Sequence, residues 1–337
     1  LSRGLGDVYK RQDNYRMMFL ILGLPCPSGL FWYCQVEYQE MSSVQGAILL
    51  GVDGGGTKCR VRARYADGTA IGEASGGTAN IFAGVDAALA NIIAVSTAAL
   101  QAGGLSADHL ARSHAGLGLA GANVSSFAAE LAARPMPFAA YALETDAVVA
   151  CRGAHGGRDG AIAILGTGSA YVIRRGPAFT LLGGWGIAVS DQGSGADLGR
   201  SALSFALLAL DGVVEETALC RDILAEFDRD PSALAEFAGA ALPRDFGRFA
   251  PLVWERFDAG DAISLRVVGQ GVALVEPMLR RLLQLGAPEI ALLGGLAARY
   301  QPLFAGDIQQ RIVLPEGDAM DGALDLAATL LPAGVGS

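Results

Sequence analysis

The sequence of 337 residues predicts an α/β protein of two lobes made by internal duplication. Three observations support this. A strand, a turn of glycines and hydroxyl residues, and a second strand occur twice. Elsewhere strands alternate with helices, the pattern of a sheet covered by helices. The chain is longer than one usual domain, and its 52% hydrophobic content supplies core for two.

The first unit starts at Ile48-Leu49-Leu50-Gly51-Val52, a buried strand that runs into Asp53, Gly54, Gly55, Gly56, Thr57 and Lys58. Cys59, Val61, Ala63 and Tyr65 then alternate with Arg60, Arg62 and Arg64, and period two means a strand. The glycines therefore occupy a hairpin turn, where they permit positive φ and let a phosphate approach the amides. A turn at Asp67-Gly68 leads into a third strand through Ile71. Val85 to Gln101 reads as an amphipathic helix stopped by Gly103-Gly104. Ser113 to Leu119 is a strand, Asn123 to Arg134 a helix, and Phe138 to Leu143 a strand.

The second unit repeats the first. Ala161 to Leu165 is an apolar strand, Gly166, Thr167, Gly168 and Ser169 a small-residue turn, and Ala170 to Arg175 a strand. Helices follow at Ala196 to Leu210, Val214 to Phe227, Ser232 to Ala241, Phe246 to Asp258 and Asp261 to Leu285. Ile290 to Leu293 is a strand and Met320 to Leu331 a last helix. A strand after the first glycines excludes a Walker A loop and a dinucleotide fingerprint, both of which open a helix. A hairpin with no ligand is the plain alternative, although it needs only one or two such residues.

The net charge of −9 argues against nonspecific nucleic-acid binding. The longest clean apolar run, Met17 to Leu24, is too short to span a bilayer and ends at Pro25. Five cysteines without Cys-x-x-Cys spacing suit free thiols in a reducing cytoplasm. The three histidines lie far apart and suggest no metal cage. Residues 1–40 differ from the rest, being polar and then apolar but broken by prolines. Gly6 to Gln12 resembles translated adapter sequence, and a signal peptide is the competing view. The natural chain is expected to begin at Met41, preceded by a non-native or disordered extension.

These motifs together resemble the sugar kinase, Hsp70 and actin ATPase superfamily, and within it the BadF/BadG/BcrA-type N-acetylglucosamine and glucosamine kinases. The two turns match its phosphate loops. Glu144-Thr145-Asp146-Ala147 matches its catalytic segment, and Gly183-Gly184-Trp185-Gly186 and Ser190-Asp191-Gln192-Gly193-Ser194 match two further blocks. Leu292-Leu293-Gly294-Gly295-Leu296 matches its adenosine motif. The resemblance runs from about Gly46 to the end. It implies a duplicated ribonuclease H-like, actin-like fold with an interdomain cleft. One lobe would hold residues 46–156 and 320–337, the other residues 157–319.

The resemblance also implies roles. Asp146 would be the catalytic base, although by spacing alone an N-cap reading is equally good. Asp53 would hold Mg²⁺ through water; the alternative is a turn-former bonding local amides. Gly54, Gly55, Gly56, Thr57 and Lys58 would meet the phosphates of ATP from one side, and Thr167, Gly168 and Ser169 from the other. Gly294 and Gly295 would pass the adenosine. Asn80, Asp146, Gly184, Trp185 and Asp191 would bind the sugar. Trp185 is as readily ordinary packing. Some members place Trp two residues after the asparagine, where this chain has Phe82, and this favours free glucosamine over its acetylated form. A cytoplasmic homodimer acting on a small sugar is implied. Two other functions compete: an ATPase that activates a dehydratase or reductase through a cysteine-held iron–sulfur cluster, and a non-catalytic sugar sensor.

Overall fold

The computed structural model describes residues 46–332. The expectation for residues 1–40 lies outside the described residues, as do Cys26 and Cys34. The first sheet holds β1 (Ile48–Gly54), β2 (Cys59–Tyr65), β3 (Ala70–Gly76), β4 (Ser113–Leu119) and β5 (Ala140–Glu144), in the order β3-β2-β1-β4-β5. The second holds β6 (Gly160–Leu165), β7 (Ser169–Arg175), β8 (Ala178–Gly183), β9 (Ile290–Leu293) and β10 (Ile312–Val313), in the order β10-β9-β6-β7-β8. In each sheet three strands form an antiparallel meander, and the next pairs parallel with the first of them. The two sheets thus have one topology, so the duplication extends beyond the turns.

β8 and β10 were not legible in the sequence. β8 is largely exposed and carries no clean alternation, and β10 has two residues. β3 runs past Ile71 to Gly76 through residues of low strand propensity, because pairing with β2 carries it on.

Three helices accompany the first sheet: α1 (Val85–Ala102), α2 (Ser125–Ala132) and α3 (Asp146–Ala154). Between β8 and β9 come α4 (Gly195–Leu210), α5 (Ala218–Glu226), α6 (Pro231–Ala240), α7 (Pro243–Gly247), α8 (Ala250–Asp258) and α9 (Ala262–Gln284). The helix expected over Phe246 to Asp258 is divided, and Pro251 sits in the first turn of α8, where a missing N–H costs nothing. Two short helices, α10 (Ala297–Tyr300) and α11 (Gly306–Gln309), precede the last, α12 (Ala319–Ala328).

α1 and α9 are long and apolar enough to cross a membrane by length and composition. Both instead bury a stripe at helical spacing. Val85, Ala88, Ile92, Val95 and Ala99 of α1 join the core of the first sheet. Ile263, Val267, Val275, Leu279 and Leu282 of α9 join the larger core beneath the second.

α3 lies between the two sheets. Its Ala147, Val148, Ala150, Cys151 and Ala154 pack with Ile162 of β6, Val172 of β7 and Ala291 of β9. Its Val149 meets Ala323 and Leu326 of α12. Glycines permit the close approach. A Cβ at Gly322 would lie 1.8 Å from the Val149 carbonyl oxygen, one at Gly153 1.9 Å from that of Asp318, and one at Gly116 of β4 1.9 Å from that of Ala323. β1 meets α12 in the same way through Gly51, whose Cβ would fall 2.3 Å from the Met320 carbonyl oxygen.

Candidate active site

Residues 55–58 close the β1–β2 hairpin, with the Gly55 N–H donating to the Lys58 carbonyl at 3.0 Å. None of Gly54, Gly55, Gly56, Gly166 or Gly168 has positive φ. The positive φ that glycine permits is therefore not used in these turns, and only at Gly54 and Gly168 does space exclude a side chain. A Cβ at Gly54 would lie 2.5 Å from a methyl of Leu119, whereas one at Gly56 would meet nothing within 4 Å. Gly56, Thr57 and Lys58 are all exposed, so this turn presents backbone amides, a hydroxyl and an ammonium to a ligand. Positive φ is found instead in the Gly-Gly-Trp-Gly block, at Gly183, Gly184 and Gly186.

The Asn80 loop is tied to that turn. Thr78 Oγ1 donates to the Gly55 carbonyl at 3.0 Å, Ala120 N–H to the Gly54 carbonyl at 2.8 Å, and Ile81 N–H to the Ala120 carbonyl at 3.0 Å. Asn80 Oδ1 accepts the Phe82 N–H at 3.0 Å and caps a short 3₁₀ turn, Ile81–Ala83. That bond fixes the amide and leaves its NH₂ group as the donor. Phe82 is 64% exposed, and its ring meets Phe127 edge-on with centroids 5.3 Å apart.

Asp53 and the start of α3 are brought together by register. Asp53 pairs with Gly118 of β4, which pairs with Glu144 of β5, two strand spacings or about 10 Å away. Two residues after Glu144, Asp146 opens α3. The N-cap is Thr145, whose Oγ1 accepts the Val148 N–H at 3.1 Å. Asp146 Oδ1 accepts the Ala147 N–H at 2.9 Å, and among the described residues no hydrogen bond reaches Oδ2. Thr145 therefore does the capping, a role that by spacing alone was as good a reading of Asp146 as catalysis. Asp146 is half-buried. Burial pushes its carboxyl up from the ordinary value and the charge of Asp53 adds to this, while the Ala147 N–H opposes it.

Among the described residues Asp53 bonds no local amide. Arg60, its cross-strand partner, donates to Oδ2 from Nε at 3.0 Å and Nη2 at 2.5 Å. Among the described residues no group of three or more His, Cys, Asp or Glu could enclose a metal. One carboxylate with a free Oδ1 beside a phosphate turn still suits Mg²⁺, which keeps several waters and takes phosphate oxygens as ligands.

On the second sheet, Gly166 and Thr167 line a cavity of about 610 Å³ with Gly195, Gly295, Trp254 and Arg299. The turn is seated on the start of α4: Gly195 N–H donates to the Gly166 carbonyl at 2.8 Å and Ala196 N–H to that of Thr167 at 3.1 Å. Gly294, with φ of 93°, would place a Cβ 2.4 Å from the Leu165 carbonyl oxygen, so the Gly294-Gly295 pair lies directly against the start of the Gly166 turn. The far wall comes from α8 and α10. Arg299 lies over the Trp254 ring at 4.8 Å and donates to both carboxylate oxygens of Asp258 at 2.8 Å. This wall was missed. Helical periodicity marks α8 as amphipathic, but only the fold shows which residues reach the turn some ninety positions earlier.

Ser169 departs from the expected phosphate contact. It is buried, and its Oγ donates to the Gln192 carbonyl at 3.0 Å. Gly168 is also outside the cavity lining, and a Cβ there would lie 2.9 Å from Asp191 Oδ2. Asp191 is 7% exposed and has φ of 62°, an uncommon conformation for a residue other than glycine. Burial raises its pKa, and the amides of Ser169 and Gly186 pull it back. Trp185 is 67% exposed.

The profile of the BadF/BadG/BcrA/BcrD ATPase family matches residues 50–314. The glucosamine kinase GspK of Vibrio cholerae serotype O1 is 40% identical over 278 residues, 82% of this chain and 95% of its own. A Chromobacterium violaceum structure assigned as an N-acetylglucosamine kinase superposes with a TM-score of 0.76 at 34% identity, covering 85% of this chain and 99% of that one. A Porphyromonas gingivalis structure with the same assignment shares the fold, with a TM-score of 0.59 at 19% identity over 84% and 98% of the two chains. With its paired sheets, its two glycine turns and this profile match, the chain belongs to the BadF/BadG/BcrA/BcrD ATPase family.

Proposed function

We propose that this protein is an ATP-dependent kinase of amino sugars that phosphorylates glucosamine in preference to N-acetylglucosamine, at the 6-hydroxyl. The observation that carries the reading is Asp146. It is a half-buried carboxylate relieved of capping by Thr145, with one oxygen unengaged, within electrostatic reach of Asp53. The glucosamine kinase of Vibrio cholerae supports the substrate class.

In this reading Asp146 accepts the proton of the sugar hydroxyl as its oxygen attacks the γ-phosphorus, and the bond to the bridging oxygen of ADP breaks. Thr57, Lys58 and the exposed Gly56 amide hold the phosphates from the first lobe, with Gly54 and Gly55 shaping the turn behind them. Thr167 and the Gly166 turn hold them from the second. Asp53 Oδ1 would hold Mg²⁺ through water, and the ion would supply positive charge against the phosphates. The cavity beside Gly295 takes the nucleoside. Asn80 donates to a sugar hydroxyl through its NH₂ group, and Gly184, Trp185 and Asp191 complete the sugar side. The lobes in this account are residues 46–156 with 320–337, and residues 157–319. A cytoplasmic homodimer is part of the same reading.

The activator alternative needs exposed thiolates. Among the described residues the cysteines, Cys59, Cys151 and Cys220, are buried, and burial pushes the thiols of Cys59 and Cys151 up to about 12, far from the thiolate form that ligates iron. ADP release with glucosamine, N-acetylglucosamine, glucose and N-acetylmannosamine tests the proposal. Release should be fastest with glucosamine. Equal release with every sugar and with none would contradict it.

A further inference from the structure

Arg60 is in no part of the mechanism above, yet it holds Asp53 more firmly than any other group. Its Nε and Nη2 both donate to Oδ2, at 3.0 and 2.5 Å, and among the described residues Oδ1 accepts no hydrogen bond. The guanidinium is itself placed from behind. Its Nη1 lies 3.9 Å from Oδ2 of Asp318, the N-cap of α12. Asp318 is anchored by Arg62, whose Nη1 and Nη2 donate to it at 3.0 and 3.2 Å. Both members of the Asp53–Arg60 pair are partly exposed, so the pair itself adds little to stability.

We infer that Arg60 is a positioning residue that fixes the Asp53 carboxylate with Oδ1 turned toward the bound metal–nucleotide. The inference rests on the reading of Asp53 as the Mg²⁺ carboxylate. The terminal torsion of an aspartate is broad, so an unheld carboxylate samples many orientations. Mg²⁺ and Mn²⁺ favour octahedral sets whose waters point in fixed directions, so a carboxylate that holds one of those waters must be aimed to accept from it. A planar fork with two N–H groups on one oxygen removes that freedom, and a lysine supplies the charge without the fork.

Mn²⁺ binding to the full chain with saturating ADP, followed by electron paramagnetic resonance, tests this without turnover. Arg60→Gln and Arg60→Lys should each weaken Mn²⁺ by about tenfold or more, the scale of losing an outer-shell partner. Metal-free ADP affinity and melting temperature should stay those of the wild type. Wild-type Mn²⁺ affinity in Arg60→Lys would overturn the inference, because charge alone would then suffice. Unchanged or tighter binding in Arg60→Gln would also overturn it. Asp53→Asn separates the two readings: if it binds Mn²⁺ as the wild type does, Asp53 is not the metal carboxylate and the role of Arg60 falls with it.

Discussion

The Asp146 carboxyl is disfavoured in its charged form by burial and by Asp53, and both catalysis and stability should show this. Asp146→Asn removes the base but keeps an oxygen to accept the Ala147 N–H. We expect turnover to fall at least about a hundredfold with nucleotide binding retained, as steady-state kinetics and ADP titration would show. In the wild type, kcat/KM should decline on acidification along a limb above the usual carboxylate value of about 3.9. The residual activity of the variant should lack that limb. For stability the sign is opposite to that of a salt-bridged carboxylate. A raised pKa gives stability that is present at low pH and lost as pH rises through it. The wild type bears that loss at neutral pH and the neutral asparagine does not. The variant should therefore melt no lower than the wild type at pH 7, and a clear drop would mean that the carboxylate is structural. The acid itself was legible in Glu144-Thr145-Asp146-Ala147, but its freedom from capping was not, because one hydroxyl on the preceding residue decides it.

Two glycines separate packing from ligand access at the scale of elements. Gly322 of α12 faces α3, where a Cβ would lie 1.8 Å from the Val149 carbonyl oxygen and 2.5 Å from the Gly153 nitrogen. Gly322→Ala should cost at least about 2 kcal/mol in denaturant unfolding, since both neighbours are backbone and neither can yield cheaply. Gly56 has ordinary φ and open space around it. Gly56→Ala should stay within about 0.5 kcal/mol of the wild type and raise the KM for ATP. The reverse ranking would place the constraint in the turn and not in the helix pair. Most elements were legible because their periods are clean: β2 alternates, and α1 and α9 carry apolar stripes. The α3–α12 contact was not. It joins segments some 170 residues apart, and the glycines that allow it resemble any others in a chain with 46.

For the whole molecule, the duplication announced by the two turns extends through both sheets, strand for strand. α3 packs under the second sheet while its first residue, Asp146, comes within electrostatic reach of Asp53 at the end of β1. Movement of one lobe against the other would therefore act directly on the acid. The cavity beside Gly166 and Gly295 was only half legible. Its glycines carry motif spacing, but Trp254 and Arg299 belong to helices whose approach to the turn depends on the packing of the entire second lobe. Phosphorus NMR of a mixture of protein, ATP, Mg²⁺ and glucosamine separates a kinase from a family ATPase most directly. The account predicts one new phosphomonoester resonance, coupled to the C6 protons of the sugar and growing in step with ADP. Inorganic phosphate accumulating at the same rate with and without the sugar would contradict it.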